Sequence, residues 1–263
     1  MAFISVPLTC GLLFLVLTVM ENMGETWWLW TWLLLSGFSL FISFLYPSFI
    51  APIFNKFEPL PDGELKDKLN NLATKVEFKT SGLYVMDASK RSSHGNAYFT
   101  GVFGKKRIVL FDNLVKDLNA DELVAVLAHE LGHFKLHHIR YSLVRGFFLT
   151  GLLFYLLSLC LPLSSFYEAF FLSGVSSYGA LVVFSLWYEI LGFFITPVFS
   201  AISRKNEFAA DNFAKNVMQS ASELRQALLK LRKSNAAVPM SHPLFSQIYH
   251  SHPPLYERLK ELK

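Results

Sequence analysis

The segment His129-Glu130-Leu131-Gly132-His133 places two histidines and a glutamate within five residues. Residues four apart project from one face of an α-helix, about 6 Å apart along its axis, so the two imidazoles can bind one Zn²⁺. Glu130 can then reach the water that the metal activates without being a ligand, which makes it the expected general base. The motif predicts a zinc hydrolase site; the alternative is a solvated helix face that holds these residues by chance.

A third protein ligand is needed, because catalytic zinc keeps three protein ligands and one open position. One class of zinc peptidase has a histidine six residues after the second histidine, but that position is Ile139. The later segment 203–211 instead carries Glu207 and Asp211, four apart on one helix face. We predict that Glu207 binds the metal and that Asp211 accepts the free N–H of a ligand histidine. Without the first motif, acidic residues at the solvated start of a surface helix would explain both.

The remaining histidines are weaker candidates. His137 lies one turn beyond the metal and His138 is expected to face elsewhere, so we interpret both as polar contacts and not as ligands. Near the C-terminus, His252 and Arg258 have the chemistry to stabilise the oxyanion of a tetrahedral intermediate. From spacing alone, a terminal helix that starts at proline and carries a surface arginine is the slightly favoured explanation.

The composition indicates a membrane protein. The chain is 52% hydrophobic and 17% charged, against about 25% charged residues in soluble domains. Four apolar stretches, roughly 3–20, 27–46, 146–163 and 179–200, are long enough to cross a bilayer. Both cysteines lie inside apolar runs, so a disulfide framework is not expected. The basic residues form no patch interleaved with aromatics, so nucleic acid is not an expected partner.

All 24 lysines and arginines fall in the two polar segments, 47–145 and 201–263. Basic residues stay on the cytoplasmic side of membranes, so both segments are predicted to face the cytoplasm. The predicted fold is a mainly helical, multi-span membrane protein that carries a zinc peptidase domain with a small sheet. It consists of two transmembrane helices (1–46), a first peptidase segment with the HELGH helix (47–145), two further transmembrane helices (146–200), and a second peptidase segment with Glu207 and a C-terminal helix (201–263).

Local patterns within the first polar segment predict its elements. Residues 62–76 predict an amphipathic helix, 83–87 a short strand, and 96–103 with 107–111 a hairpin. Asn119 and Glu122 have the spacing of a capping box, which predicts a helix from about Ala120 to Arg145 that leads directly into the third span.

These motifs resemble peptidase family M48. The segments HELGH at 129–133, SRKNEFAAD at 203–211 and HSHPPLYERL at 250–259 are similar to the family's motifs, and 50–57, 84–91 and 96–101 extend the likeness. The resemblance covers nearly all of residues 45–263. Within the family, the chain resembles the type I CAAX prenyl endopeptidases more than the heat-shock HtpX type.

The resemblance implies a gluzincin-type site with one Zn²⁺ per chain. It assigns roles to three groups of residues: metal ligands (His129, His133, Glu207), catalytic or supporting residues (Glu130, Asp211, His252, Arg258) and a substrate-binding edge strand (Asn96, Ala97, Tyr98). An extended peptide would pair with that strand by β-augmentation.

The resemblance also implies partners and a location. Eukaryotic CAAX-type members cut C-terminal to the prenylated cysteine of CAAX proteins inside an intramembrane chamber. The expected partners are therefore the lipid bilayer and a peptide or protein substrate, either a prenylated C-terminal CAAX peptide or a membrane protein. The expected location is the bacterial inner membrane, or the ER membrane for a eukaryotic source. CAAX-type members usually have seven spans, so we expect this sequence to lack the family's N-terminal spans.

Three functions stay open at this point. The leading one is a CAAX-type membrane endopeptidase, and the second is an HtpX-like protease that degrades unfolded membrane proteins. The third is a truncated membrane protein that binds substrates without cutting them. The intact Glu130 argues against the third, because a protein that no longer cleaves is free to lose its base.

Overall fold

The computed structural model of the chain describes residues 2–92, 95–100, 106–234 and 240–263. These ranges are mainly helical with one four-stranded sheet, which confirms the predicted fold class. The helices are α1 (Ala2–Asn22), α2 (Trp27–Leu45), α3 (Ala51–Phe54), α4 (Glu64–Lys75), α5 (Asp112–Asp117), α6 (Ala120–Lys135), α7 (His138–Cys160), α8 (Ser164–Glu168), α9 (Ser177–Met218), α10 (Ser222–Ser234), α11 (Pro243–Tyr249) and α12 (Leu255–Glu261). The strands are β1 (Phe57–Pro59), β2 (Thr80–Met86), β3 (Ala97–Thr100) and β4 (Lys106–Phe111).

Among the described residues, four helical segments are long and apolar enough to cross a membrane: Ser5–Asn22, Gly24–Leu45, His138–Cys160 and Ser177–Met218. They correspond to the four predicted stretches. The last of them, α9, is 42 residues long and contains Pro197. It therefore carries both the fourth apolar stretch and the polar segment 203–211 on one helix.

The chain divides into two compact units, each built from two separate stretches. The first unit comprises Met1–Ile42 and Arg140–Ile195, and the second comprises Ser43–Ile139 and Thr196–Lys263. The predicted boundaries after residues 46, 145 and 200 lie a few residues further along the chain.

Trp32 packs closely on α7 within the first unit. Its indole N–H donates to the carbonyl of Phe147 at 2.9 Å. Gly151 makes room for the ring, since a Cβ added there would lie 2.8 Å from Trp32 Cε2. Trp27, only 4% exposed, joins the apolar core of the same unit.

The sheet of the second unit has the strand order β1-β2-β4-β3. Strands β3 and β4 form the predicted antiparallel pair, with Tyr98 opposite Val109, while the turn at 101–105 lies outside the described residues. Strand β4 pairs in parallel with β2, and β1 pairs with β2 in antiparallel fashion. The three-residue β1 was not predicted, because it is too short to show a period. Strand β3 lies at one edge of the sheet and β1 at the other.

Helix α6 connects the core to the site. Leu123, Leu127 and Leu131, each at most 2% exposed, repeat every four residues and face the apolar core beneath the sheet. The predicted capping box is confirmed: the Asn119 side chain accepts from the N–H of Glu122 at 2.9 Å, and the Glu122 carboxylate accepts from the N–H of Asn119 at 2.8 Å. The histidines of the motif are offset from the leucines by two residues and thus lie on another face of the helix.

The predicted continuous helix from Ala120 to Arg145 is wrong, because α6 ends at Lys135 and α7 starts at His138. His137 adopts a left-handed conformation with φ 59°, a region that histidine enters more readily than most residues. The sequence carries no glycine or proline here, so the two residues that most clearly mark a helix end are absent.

Candidate active site

The structure brings the three predicted metal ligands together. Nε2 of His129 and Nε2 of His133 are 3.3 Å apart. The carboxylate oxygens of Glu207, which project from α9, lie 3.6 Å from the first nitrogen and 3.3 Å from the second. One donor atom from each of the three residues falls within 4.8 Å of the others.

The spacing of these donors suits zinc. Two Zn–N bonds of about 2.0–2.1 Å at a tetrahedral angle hold their nitrogens about 3.3 Å apart. The two Nε2 atoms have that separation. Two imidazoles and one carboxylate are also a donor set that catalytic zinc accepts while it keeps one position open. The residues therefore fit the metal that the sequence predicts.

Asp211 orients His129. Its Oδ1 lies 2.8 Å from His129 Nδ1, so the Nδ1–H donates to the carboxylate and Nε2 keeps its lone pair for a metal. Arg258 binds the same carboxylate through two N–H groups, Nε to Oδ2 at 2.8 Å and Nη2 to Oδ1 at 2.6 Å. The side chains of Asp211 and Arg258 are only 1% and 12% exposed. The guanidinium thus neutralises a buried carboxylate that would otherwise be costly.

A close helix contact sets the distance between the ligands. A Cβ added to Gly132 would lie 3.0 Å from Cα of Ala210 and 3.2 Å from both the carbonyl oxygen of Ala210 and Cβ of Phe213. Gly132 lies between the two histidines of the motif, and Ala210 lies three residues after Glu207. The missing side chain therefore lets α6 and α9 approach closely at the level of the ligands.

His252 lies beside the predicted ligand Glu207, and Arg204 anchors the chain just before His252. His252 Nδ1 is 3.2 Å from Glu207 Oε1, and this hydrogen bond raises the pKa of the imidazole. The Nη1 group of Arg204 donates to the carbonyl of Ser246, within α11, at 3.1 Å and to that of His250, just after α11, at 2.7 Å. Sequence reasoning missed this role of Arg204, because both of its partners are more than 40 residues away along the chain.

His138 makes a polar contact, as predicted, but the sequence did not indicate its partner, His133. Its Nδ1 lies 3.0 Å from Nδ1 of His133, and the two rings meet edge to face with centroids 5.1 Å apart. The expectation that His138 faces elsewhere is wrong, because it assumed a continuous helix. His137 was interpreted as a polar contact; its side chain is exposed.

Glu130, the predicted base, lies next to His129. It follows His129 directly on α6, and its side chain is partly buried. Burial raises the pKa of Glu130, although its neighbours His129 and His133 act in the opposite direction. A carboxyl with a raised pKa works closer to neutral pH as a group that accepts and returns a proton.

The predicted substrate strand is an edge with backbone groups that point outward. In antiparallel pairs, residues alternate between those that bond the partner strand and those that face away. Asn96 is bonded to Phe111 of β4, so the N–H and C=O groups of Ala97 and Phe99 point away from β4. The N–H of Ala97 meets the Asn96 side-chain oxygen at 2.8 Å. On the opposite edge, proline at position 59 removes an outward donor.

Known proteins that resemble the chain identify its family. Residues 59–263 match the model of peptidase family M48. The chain belongs to this family. Residues 1–56 of the M48 chain match the model described as CAAX prenyl protease N-terminal, five membrane helices. The predicted resemblance is thereby confirmed.

The M48 chain is similar along almost its whole length to longer proteins. It is 38% identical to CAAX prenyl protease 1 homolog of Arabidopsis thaliana, over 99% of the chain and 61% of that protein. It is 42% identical to CAAX prenyl protease 1 of Saccharomyces cerevisiae, over 83% of the chain and 51% of that protein. The crystal structure of S. mikatae Ste24p superposes with a TM-score of 0.89 at 35% identity, over 99% of this chain and 64% of that one. The chain thus spans between half and two thirds of the length of these relatives.

Proposed function

We propose that this M48 chain is a membrane-embedded zinc endopeptidase that cleaves prenylated C-terminal CAAX peptides. The observation that carries the proposal is the convergence of His129, His133 and Glu207, with one donor atom of each within 4.8 Å of the others. The orientation of His129 by Asp211 supports it, since an unligated surface cluster does not need a fixed tautomer.

The residues of the site divide the chemical work among them. His129, His133 and Glu207 would hold one zinc ion, which when bound supplies Lewis acidity and lowers the pKa of a water. Glu130 takes the proton of the attacking water and returns it to the leaving amine. His252, whose side chain is 71% exposed beside Glu207, would donate to the oxyanion.

Arg258 supports the site in a different way. Two of its N–H groups are bound to Asp211, and Nη1 lies 3.7 Å from Glu207 Oε2. Its main task is therefore to keep the two carboxylates apart and in place. The role predicted for Arg258 from the sequence, contact with the oxyanion, would fall to its Nη1 group, because Nε and Nη2 bind Asp211.

The substrate would bind as an additional strand along Asn96, Ala97 and Tyr98. The outward groups of Ala97 and Phe99 would supply main-chain hydrogen bonds, with the Ala97 N–H exchanging the Asn96 side-chain oxygen for a peptide carbonyl. Such bonds hold a peptide in register without reading its side chains. Strand β3 packs on α6, the helix that carries both histidines. Pairing with this edge orients the scissile carbonyl, and orientation of that kind can lower a barrier by several kcal/mol.

The substrate class and the location follow from the relatives and from the charges. Relatives named CAAX prenyl protease 1 favour a CAAX peptide over unfolded membrane proteins in general. The four apolar helices make the chain an integral membrane protein. The distribution of lysine and arginine supports a cytoplasmic position for both polar segments. The choice between the bacterial inner membrane and the ER membrane stays a prediction.

A peptidase assay with metal analysis tests the proposal. The purified chain in lipid nanodiscs is expected to retain one zinc ion and to cleave a farnesylated CAAX peptide. A chelator should stop cleavage and added zinc should restore it. The double variant His133→Ala/Glu207→Ala should lose both metal and cleavage; if it keeps stoichiometric zinc, the ligand set is wrong.

The same assay separates the other two functions. Equal cleavage of the farnesylated peptide and of the same peptide without its lipid would indicate a broad quality-control protease. Retention of zinc and binding of the farnesylated peptide without cleavage would indicate a substrate-binding protein that does not cut.

A further inference from the structure

The break between α6 and α7 turns His138 back toward the metal-binding face. In a continuous helix, a residue five positions after His133 would lie about 140° around the axis from it. Here the N–H of His137 closes the end of α6 on the carbonyl of Phe134 at 3.2 Å, and its left-handed φ of 59° redirects the chain. Nδ1 of His138 then meets Nδ1 of His133 at 3.0 Å.

A contact between two imidazole nitrogens at this distance needs one proton between them. Nε2 of His133 faces Glu207 and His129, on the side where the metal would bind. A neutral imidazole that ligates through Nε2 carries its proton on Nδ1. His133 is therefore the donor, and His138 accepts through Nδ1 and carries its own proton on Nε2.

We propose that His138 is the positioning residue of His133, as Asp211 is that of His129. The inference rests on the proposed zinc site and adds a residue to it. His138 fixes which nitrogen of His133 carries the proton and holds the plane of its ring. The two ligand histidines thus have different supports: a carboxylate stabilises positive charge on His129, whereas a neutral imidazole accepts from His133 without adding charge. Loss of such a support typically weakens metal binding about 10–100-fold.

Variants at position 138 test this through zinc affinity. His138→Ala should weaken zinc binding by about 10–100-fold. The affinity is measured on the whole chain in detergent by competition with a chromophoric chelator. In His138→Asn the side-chain oxygen stands near the place of Nδ1, so affinity should recover to within a few-fold of the parent. In His138→Gln the acceptor reaches too far, so affinity should stay low. Cobalt(II) spectra should follow the same order, because they report ligand geometry.

The matched control is His137→Asn. It alters the adjacent, exposed histidine and keeps a residue that tolerates the left-handed backbone, so zinc affinity should not change. Thermal unfolding of the metal-free proteins shows whether each variant folds. Parental affinity in His138→Ala, or equal affinities in the Asn and Gln variants, would overturn the positioning role while the zinc site stands. Failure of the parent protein to bind zinc would overturn the site and this inference together.

Discussion

Opposite charges are paired in the buried surroundings of the proposed zinc site. The side chain of Asp211 is 1% exposed, and Arg258 forms a bidentate pair with its carboxylate through Nε and Nη2. Because that pair is neutral, the negative charge of Glu207 remains for the metal. Removal of Arg258 alone would leave Asp211 buried and unpaired, a change that costs about 3–5 kcal/mol in comparable buried pairs. In the proposed site, Arg258 would therefore act on a bound metal through Asp211 and His129.

Substitution of the proposed base separates metal binding from catalysis. Glu130→Gln keeps the shape of the side chain but removes its ability to accept a proton. We expect zinc content and peptide binding to match the parent, and turnover of the farnesylated peptide to fall about 10²–10⁴-fold. Cleavage by Glu130→Gln at the parental rate would show that the base is another group.

The contacts of Arg204 predict an energetic coupling between Arg204 and His252 in turnover. Arg204→Ala removes two charge-assisted hydrogen bonds to the carbonyls of Ser246 and His250, so the segment before His252 loses its anchor. We expect turnover to fall about as far as in His252→Ala, with zinc content unchanged. A double-mutant cycle measures the coupling: in the His252→Ala background, Arg204→Ala should have little further effect. Additive losses would mean that Arg204 acts independently of His252.

At the scale of elements, the site depends on how closely α6 and α9 approach. The helices carry the histidines and Glu207 respectively, and Gly132 meets Ala210 between them. Local sequence signals located both helices and the capping box at Asn119. The contact between Gly132 and Ala210 joins residues that are far apart in the chain, so no local sequence pattern predicts it.

A single methyl group at this contact should disturb the metal site. In Gly132→Ala the new Cβ would meet backbone atoms of Ala210 at 3.0–3.2 Å, so α9 must move by a few tenths of an ångström. We expect stability to fall by about 1–3 kcal/mol and zinc affinity to fall with it, as measured by thermal unfolding and chelator competition. Gly146→Ala is the matched control, because a Cβ there has nothing within 4 Å. Parental zinc affinity in Gly132→Ala would show that the ligands tolerate this shift.

Removal of one outward donor tests the edge strand. Ala97→Pro removes an N–H that points away from β4, and edge positions tolerate proline. We expect a raised KM and lower turnover, with zinc content and unfolding temperature close to the parent. Phe57→Pro removes the corresponding outward donor from β1 and should leave turnover unchanged. If Ala97→Pro turns over normally, the peptide binds elsewhere.

At the scale of the whole molecule, local signals predicted the elements and missed several of their connections. Three signals each depend on one continuous part of the sequence: the apolar stretches, the HELGH spacing and the Asn119 capping box. All three appear in the structure. The parallel pairing of β2 with β4 and the short β1 depend on tertiary packing. The end of α6 at Lys135 depends on a left-handed His137, which no neighbouring glycine or proline indicates.

Topology is testable by cysteine labelling in a background where Cys10 and Cys160 are replaced by serine. Asp62→Cys and Met240→Cys lie at exposed sites in the two polar segments and should react from the cytoplasmic side only. Glu25→Cys and Glu168→Cys lie in the connectors without lysine or arginine and should react from the opposite side. Reaction of Asp62→Cys or Met240→Cys from outside intact cells would contradict the arrangement.

The division of the predicted ligands between α6 and α9 has a consequence for the synthesis of the protein. His129 and His133 leave the ribosome well before Glu207, and the whole of α7 and most of α9 lie between them. Asp211 and Arg258, which orient His129, emerge later still. A nascent chain therefore carries the two histidines without Glu207 and Asp211 while α7 and α9 enter the bilayer, and the predicted ligand set is complete only afterwards. In the proposed site, metal loading would therefore be a late step of maturation, because Glu207 joins the two histidines only after α7 and most of α9 have been made.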